Sequence, residues 1–146
     1  MIDYGYYDGM LSIGSDLDED TRETYTEGDC YLLALELHLL GLGELVAVVD
    51  PLQPVARRRA WTHMAVRTLE GYILDADGLN EPGIALSNYG HELPQGGVIE
   101  AITLEDYGVL IDSKAESIHS TPTVKLVALE LKGWLQTVPP LAPLAH

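Results

Sequence analysis

Gly28-Asp29-Cys30-Tyr31-Leu32-Leu33-Ala34-Leu35-Glu36-Leu37-His38-Leu39-Leu40, followed at once by Gly41, reads as one helix. Asp29 is a strong N-cap type, the Leu-rich body favours helix, and Gly41 or Gly43 supplies a stop. Only Glu36 and His38 interrupt the apolar run. A helix without a solvent face has to be buried, and a sheet is the expected partner. Cys30 then sits in its first turn.

Downstream, Glu44 to Asp50 (ELVAVVD) is β-branched, short and closed by Pro51, so a strand is expected. Residues 51–60 hold two prolines and the run Arg57-Arg58-Arg59, which reads as an exposed loop. Trp61 to Thr68 and Tyr72 to Asp77 follow as two strands joined across Leu69-Glu70-Gly71, with Gly71 in the left-handed turn position. This register sets Thr68 opposite Tyr72, Ala65 opposite Asp75 and His63 opposite Asp77. After Gly78 the chain reads as loop through Pro82, Asn88, Gly90 and Gly96-Gly97. Thr103-Leu104-Glu105-Asp106 loosely matches a capping box, and Thr121-Pro122 opens a helix to about Trp134 with Val124, Val127, Ala128 and Leu131 as its apolar stripe. Upstream, the first 29 residues lack periodicity and read as an arm or loop, the arm proper at residues 1–23. Residues 139–146, with Pro139, Pro140 and Pro143, are expected to be a frayed tail that packs locally or not at all. The expected fold is α+β, a buried helix packed on an antiparallel sheet, in a single domain over residues 1–146.

With 146 residues and 47% hydrophobic content, the chain can bury a real core. No segment reaches the roughly 20 apolar residues that span a bilayer, and Met1-Ile2-Asp3-Tyr4 has no basic leader segment, so neither a membrane span nor a secretory signal is expected. One cysteine excludes an intramolecular disulfide and fits the cytoplasm. A formal net charge of −15 repels phosphates and anionic membranes, which disfavours direct nucleic-acid binding and favours basic partners.

A helix N-terminus stabilises a thiolate, the nucleophilic form of cysteine. A thiol hydrolase also needs a histidine to carry the proton and a polar group to orient the ring. His63 on one strand and Asp75 on the next are in reach of each other, with Asp77 the substitute if the register differs.

Gly-Asp-Cys heading an apolar helix, then His63-Met64-Ala65-Val66 on a strand and Ile73-Leu74-Asp75 on the next, resembles the papain-like superfamily. The spacing is closest to the cell-wall amidase-like NlpC/P60 group and looser to the transglutaminase-like core. The resemblance covers about residues 24–78. It implies a compact papain-like core with Cys30 as nucleophile, His63 as base and Asp75 as orienting residue. Asp29, Arg59 and Trp61 are the expected substrate-binding residues. Papain-type peptidases carry a Gln several residues before the nucleophile, where Thr24 stands here, so the oxyanion hole would rest on the Cys30 amide and another donor.

The expected activity is thiol-dependent acyl transfer (hydrolase, amidase or deamidase) on a protein or peptide-like amide or ester. Against it stands the reading of Cys30 as a small core residue and of Asp75-Ala76-Asp77-Gly78 as a plain turn. The rival function is a non-catalytic acidic protein that blocks a basic partner surface. His38 is too far along its helix to act with Cys30, and His91, His119 and His146 lie in loops or at the terminus. No cofactor and no metal site is expected. Asp16, Asp18, Asp20 and Glu27 have calcium-loop spacing, but Thr21 stands where that loop needs glycine.

Overall fold

The computed structural model describes residues 3–51, 61–93, 96–113 and 122–144. One seven-stranded antiparallel sheet runs through it, in the order β1-β2-β6-β5-β4-β3-β7. The strands are β1 (Asp3–Tyr7), β2 (Met10–Gly14), β3 (Glu44–Val49), β4 (Trp61–Arg67), β5 (Ile73–Asp75), β6 (Gly78–Asn80) and β7 (Val98–Ala101). The helices are α1 (Glu19–Glu27), α2 (Cys30–Leu39), α3 (Pro82–Tyr89), α4 (Leu104–Ser113) and α5 (Pro122–Leu135). The class is therefore mixed α+β, with α2 laid across β4.

The all-round apolar α2 is buried from Cys30 to Ala34 and again at Glu36 and Leu37. It ends in a Schellman motif: Gly41 takes φ +77°, its N–H donates to the His38 carbonyl, and the Leu42 N–H donates to the Leu37 carbonyl. Its start departs from expectation. Asp29 is the N-cap by position, but its side chain makes no capping hydrogen bond. The preceding helix α1 ends at Gly28, and the Gly28 and Asp29 amides both donate to the Thr24 carbonyl. That tight junction sets the entry to α2 and takes over from side-chain capping.

Alternation along the strands divides the core. Leu45, Ala47, Val49, Met64, Val66 and Leu74 join the main cluster with α2, α4 and α5. Val46, Ala65 and Ile73 take the opposite parity and pack with Ala85 of α3. The β4–β5 register follows the expected frame, with Val66 opposite Leu74 and Arg67 opposite Ile73. The Thr68 amide donates to the Tyr72 carbonyl, and Gly71 has φ +99°.

Two expectations are overturned. The arm expected at the N-terminus is a β1–β2 hairpin followed by α1. Its turn is Asp8-Gly9, both at positive φ (53° and 79°), the conformation that pairs best with strand twist in a two-residue hairpin. Asp18 then caps α1, its carboxylate accepting from the Thr21 amide at 2.8 Å. Second, the strand expected over Tyr72–Asp77 stops at Asp75 and folds back as β6, with Asp75 opposite Gly78. Gly78 has φ +126°, and a Cβ there would lie 2.0 Å from the Ile13 carbonyl oxygen. Only glycine allows β6 to close onto β2 here. The supposed loop after it becomes α3, opened by Pro82 in its first turn and closed by Gly90. As far as it is described, the tail packs locally, one of the two outcomes expected. Leu141 and Leu144 pack on the core, and the Leu144 amide donates to the Glu70 carbonyl at 2.8 Å.

Two helix starts follow the sequence. Thr103 and Asp106 cap α4 reciprocally, each side chain accepting from the other's amide. Helix α5 buries Val124, Val127, Ala128 and Leu131, and adds Trp134 to that face. Among the described residues no helix is long and apolar enough to cross a membrane.

Candidate functional site

The β5–β6 turn is the local device that builds the site. In the two-residue hairpin Asp75-Ala76-Asp77-Gly78, the Asp77 amide donates to Asp75 Oδ1 at 2.9 Å. That bond fixes the Asp75 carboxylate and leaves Oδ2 to meet His63 Nε2 at 2.8 Å. His63 is opposite Val48 on β3 and shares side-chain parity with Ala65, which aims it toward the α3 side of the sheet. Both partners are buried, His63 at 1% exposure and Asp75 at 3%.

His63 Nδ1 is also buried and has no hydrogen bond of good geometry among the described residues. Besides Asp75, the side chain that acts on the imidazole is the Cys30 thiol. Nε2 is committed to Asp75, so Nδ1 is the nitrogen left for the sulfur. Burial alone would push the His63 pKa down. Hydrogen bonding and charge from Asp75 and then Cys30 outweigh it, and the imidazole is pushed up to about 10. The ring is thus held as imidazolium at neutral pH, between a carboxylate and a thiol at the start of a helix.

Tyr89, the last residue of α3, was not singled out by sequence. Its ring stacks on His63, centroids 3.7 Å apart with 6° between planes, and its hydroxyl donates to Asp77 Oδ2 at 2.9 Å. The Thr62 hydroxyl donates to the Tyr89 carbonyl and pins the end of α3 to β4. Burial, then the charges of Asp75 and Asp77, push the Tyr89 hydroxyl pKa upward, so it stays protonated as a donor. Burial and the Asp75 charge likewise raise Asp77, against the hydrogen bond from Tyr89. The sequence signal for Tyr89 was Pro82 and Gly90, which bracket a helix of this length.

Asp77, the alternative third member, therefore bonds to Tyr89 and leaves the imidazole to Asp75. Trp61, expected to bind substrate, is a buried residue of the core. It is 4% exposed, its indole N–H donates to the Leu110 carbonyl at 2.8 Å, and it meets Tyr31 edge-on. A large aromatic at the first position of a central strand is drawn into the core, where its N–H finds a buried acceptor. Asp29 is half-buried beside Asp20 and Glu23. Arg59, His119 and His146 lie outside the described residues. His38 bonds through Nδ1 to the Gly43 carbonyl at 2.9 Å, away from Cys30, and His91 is exposed. Among the described residues no group of three or more His, Cys, Asp or Glu converges as a metal site.

Cys30 is 3% exposed. Beside this network lies a cavity of about 560 Å³ whose walls include Arg22, Asp77, Asn80, Ser87 and Asn88. Asp77 is the residue it shares with the network around His63, and Tyr89 follows directly on its Ser87–Asn88 wall. Chemically, the cluster combines a buried thiol at a helix N-terminus with an imidazole oriented by a carboxylate. No family model, curated protein or solved structure matches this chain.

Proposed function

We propose that this chain is a thiol-dependent acyl-transfer enzyme on a papain-like core, acting on an amide or ester of a protein or peptide-like substrate. The observation that carries this reading is the His63 imidazole bonded through Nε2 to Asp75 and acted on by Cys30. In the proposed reaction, the Cys30 thiolate attacks the carbonyl carbon and the carbonyl oxygen takes the negative charge at the α2 N-terminus. The His63 imidazolium then gives its proton to the leaving nitrogen or oxygen, and the carbon–heteroatom bond breaks to leave a thioester on Cys30. Water or an amine, deprotonated by His63, attacks the thioester and regenerates the thiol pair. Asp75 keeps the imidazole in one orientation and favours its charged form throughout. A reactive single thiol works only where it stays reduced, and the cytoplasm is the proposed compartment.

One observation favours a second reading, an acidic protein that occupies a basic partner surface. Cys30 is 3% exposed and the His63 ring is covered by Tyr89, which a binder tolerates and an enzyme has to open. The pH dependence of Cys30 alkylation by iodoacetamide, compared with His63→Ala, separates the two. An activated thiol reacts well below its ordinary pKa of about 8.5 and slows when His63 is removed. A thiol indifferent to His63 would sink the enzyme and leave the binder.

A further inference from the structure

The cavity beside Asp77 has a feature that the Cys30 chemistry does not use. Arg22 is the sole Lys or Arg in residues 1–56, a stretch that carries twelve Asp and Glu. It is half-buried on α1 and lines the cavity. Asp18, four residues earlier, is its natural helical partner, but that carboxylate is engaged in capping the Thr21 amide. Among the described residues the Arg22 guanidinium has no hydrogen bond and no ion pair, although its charge reaches Asp18 and Asp77. A planar five-donor fork that lines a cavity, with no partner among the described residues, suits a bidentate acceptor.

The rest of the wall narrows the chemistry. Asn80 lines the cavity and accepts from the Ser12 hydroxyl through Oδ1, which leaves its amide nitrogen as the group that can donate. Ser87 and Asn88 add hydroxyl and amide groups, while Asp8 and Asp77 offer acceptors. Donors and acceptors interleaved in this way match the N–H and C=O groups of an amide chain. Two carboxylates on the wall and a net charge of −15 oppose a dianionic phosphate more strongly than a monoanion, which one guanidinium can hold. The volume, about 560 Å³, lies in the usual range for small-ligand sites.

We propose that this cavity binds a small peptide-like molecule through a carboxylate held by Arg22, with its amide groups paired to Asn80, Ser87 and Asn88. The site stands whether or not Cys30 is a nucleophile.

Nuclear magnetic resonance titration of the full chain tests this with two probes of equal size, N-acetylglycylglycine and its C-terminal amide. The free acid is expected to shift the Arg22 Nε–Hε and Asn80 side-chain signals saturably, and the amide to bind about tenfold more weakly or worse. In Arg22→Gln the two probes should become equivalent, and Arg22→Lys, which keeps charge without the fork, should fall between. The native chain alone supplies the acid-against-amide comparison, so a folding defect in a variant does not obscure the result. Equal binding of the two probes, no shift with either, or a preference that survives Arg22→Gln would overturn the proposal. Inorganic phosphate displacing the free acid at lower concentration would overturn the assignment to a carboxylate.

Discussion

The Tyr89 ring lies flat on the His63 imidazole at 3.7 Å between centroids. This contact closes a circuit of four residues. Tyr89 donates to Asp77, the Asp77 amide donates to Asp75, and Asp75 holds His63 Nε2, which brings the path back to the stacked ring. Each bond is buried or half-buried, where hydrogen bonds are stronger than in water and an unpaired group is costly. The circuit therefore fixes the tilt of the imidazole and commits its Nε2 to Asp75. It also puts an aromatic ring between the imidazole and solvent.

Substitutions at Tyr89 separate those two effects. Tyr89→Phe keeps the stack and removes only the bond to Asp77, so a loss of about 1 kcal/mol is expected, with alkylation of Cys30 little changed. Tyr89→Ala removes the cover. If opening of this ring limits access, alkylation speeds up about tenfold for each ~1.4 kcal/mol of opening free energy removed. Iodoacetamide kinetics followed by mass spectrometry measure both. An unchanged rate in Tyr89→Ala would mean that access runs by another route.

The two aspartates of the β5–β6 turn should behave differently although they are two residues apart. Asp75→Asn preserves volume but removes the charge that holds the His63 proton, and it leaves a buried imidazolium poorly compensated. A stability loss of about 3 kcal/mol is expected, together with a clear fall in the His63 titration midpoint. Asp77→Asn retains the backbone amide that orients Asp75 and weakens only the acceptor for Tyr89, so about 1 kcal/mol or less is expected. Imidazole proton shifts against pH and urea unfolding distinguish these outcomes. Similar effects from both variants would show that Asp77 shares the imidazole.

The parts of this molecule legible in the sequence are those set by local periodicity. Helix α2 was readable because nothing between Tyr31 and Leu40 except Glu36 and His38 resists burial. The β4–β5 register was readable because a three-residue turn with Gly71 allows only one frame. The turn that fixes Asp75 was less so, since a strand of three residues has too little alternation to separate Tyr72–Asp77 from two short strands. What decides it is Gly78, whose missing Cβ admits the Ile13 carbonyl, and that contact is 65 residues away in sequence. Tyr89 was hidden for a related reason. Its role depends on the end of α3 reaching Thr62 and His63 of β4, and no pattern within residues 82–90 encodes what the helix end will touch. Proximity of Trp61 to His63 in sequence does not fix the face: its indole turns to the main core, and the next two residues meet Tyr89 of α3.

That reversal for Trp61 is testable. Trp61→Phe removes the donor to the Leu110 carbonyl and part of the packing against Tyr31, at an expected cost of about 2 kcal/mol. Being a core residue on the α4 side, it should leave the pH profile of Cys30 alkylation as it was. A variant of native stability with altered alkylation would instead return Trp61 to the site.

The imidazolium also couples stability to pH. Folded His63 keeps its proton to about pH 10, whereas an unfolded histidine releases it near 6.5. Between those values the folded chain binds a proton that the unfolded chain lacks, so its stability is complete below pH 6.5 and declines as pH rises toward 10. Urea unfolding at intervals across that range should show a decline of a few kcal/mol in the native chain. The raised Asp77 carboxyl also lowers stability as pH rises, but its window opens at 3.8, well below that of histidine. His63→Gln should flatten the upper decline whatever it costs in absolute stability. The variants around the ring should then shift the upper edge of the window in order. Asp75→Asn should lower it most, because that carboxylate is the largest influence raising the imidazole, and Cys30→Ser less, because the thiol comes second. A native chain equally stable across the window would mean that His63 is buried as the neutral ring, which would remove the charged pair on which the proposed reaction depends.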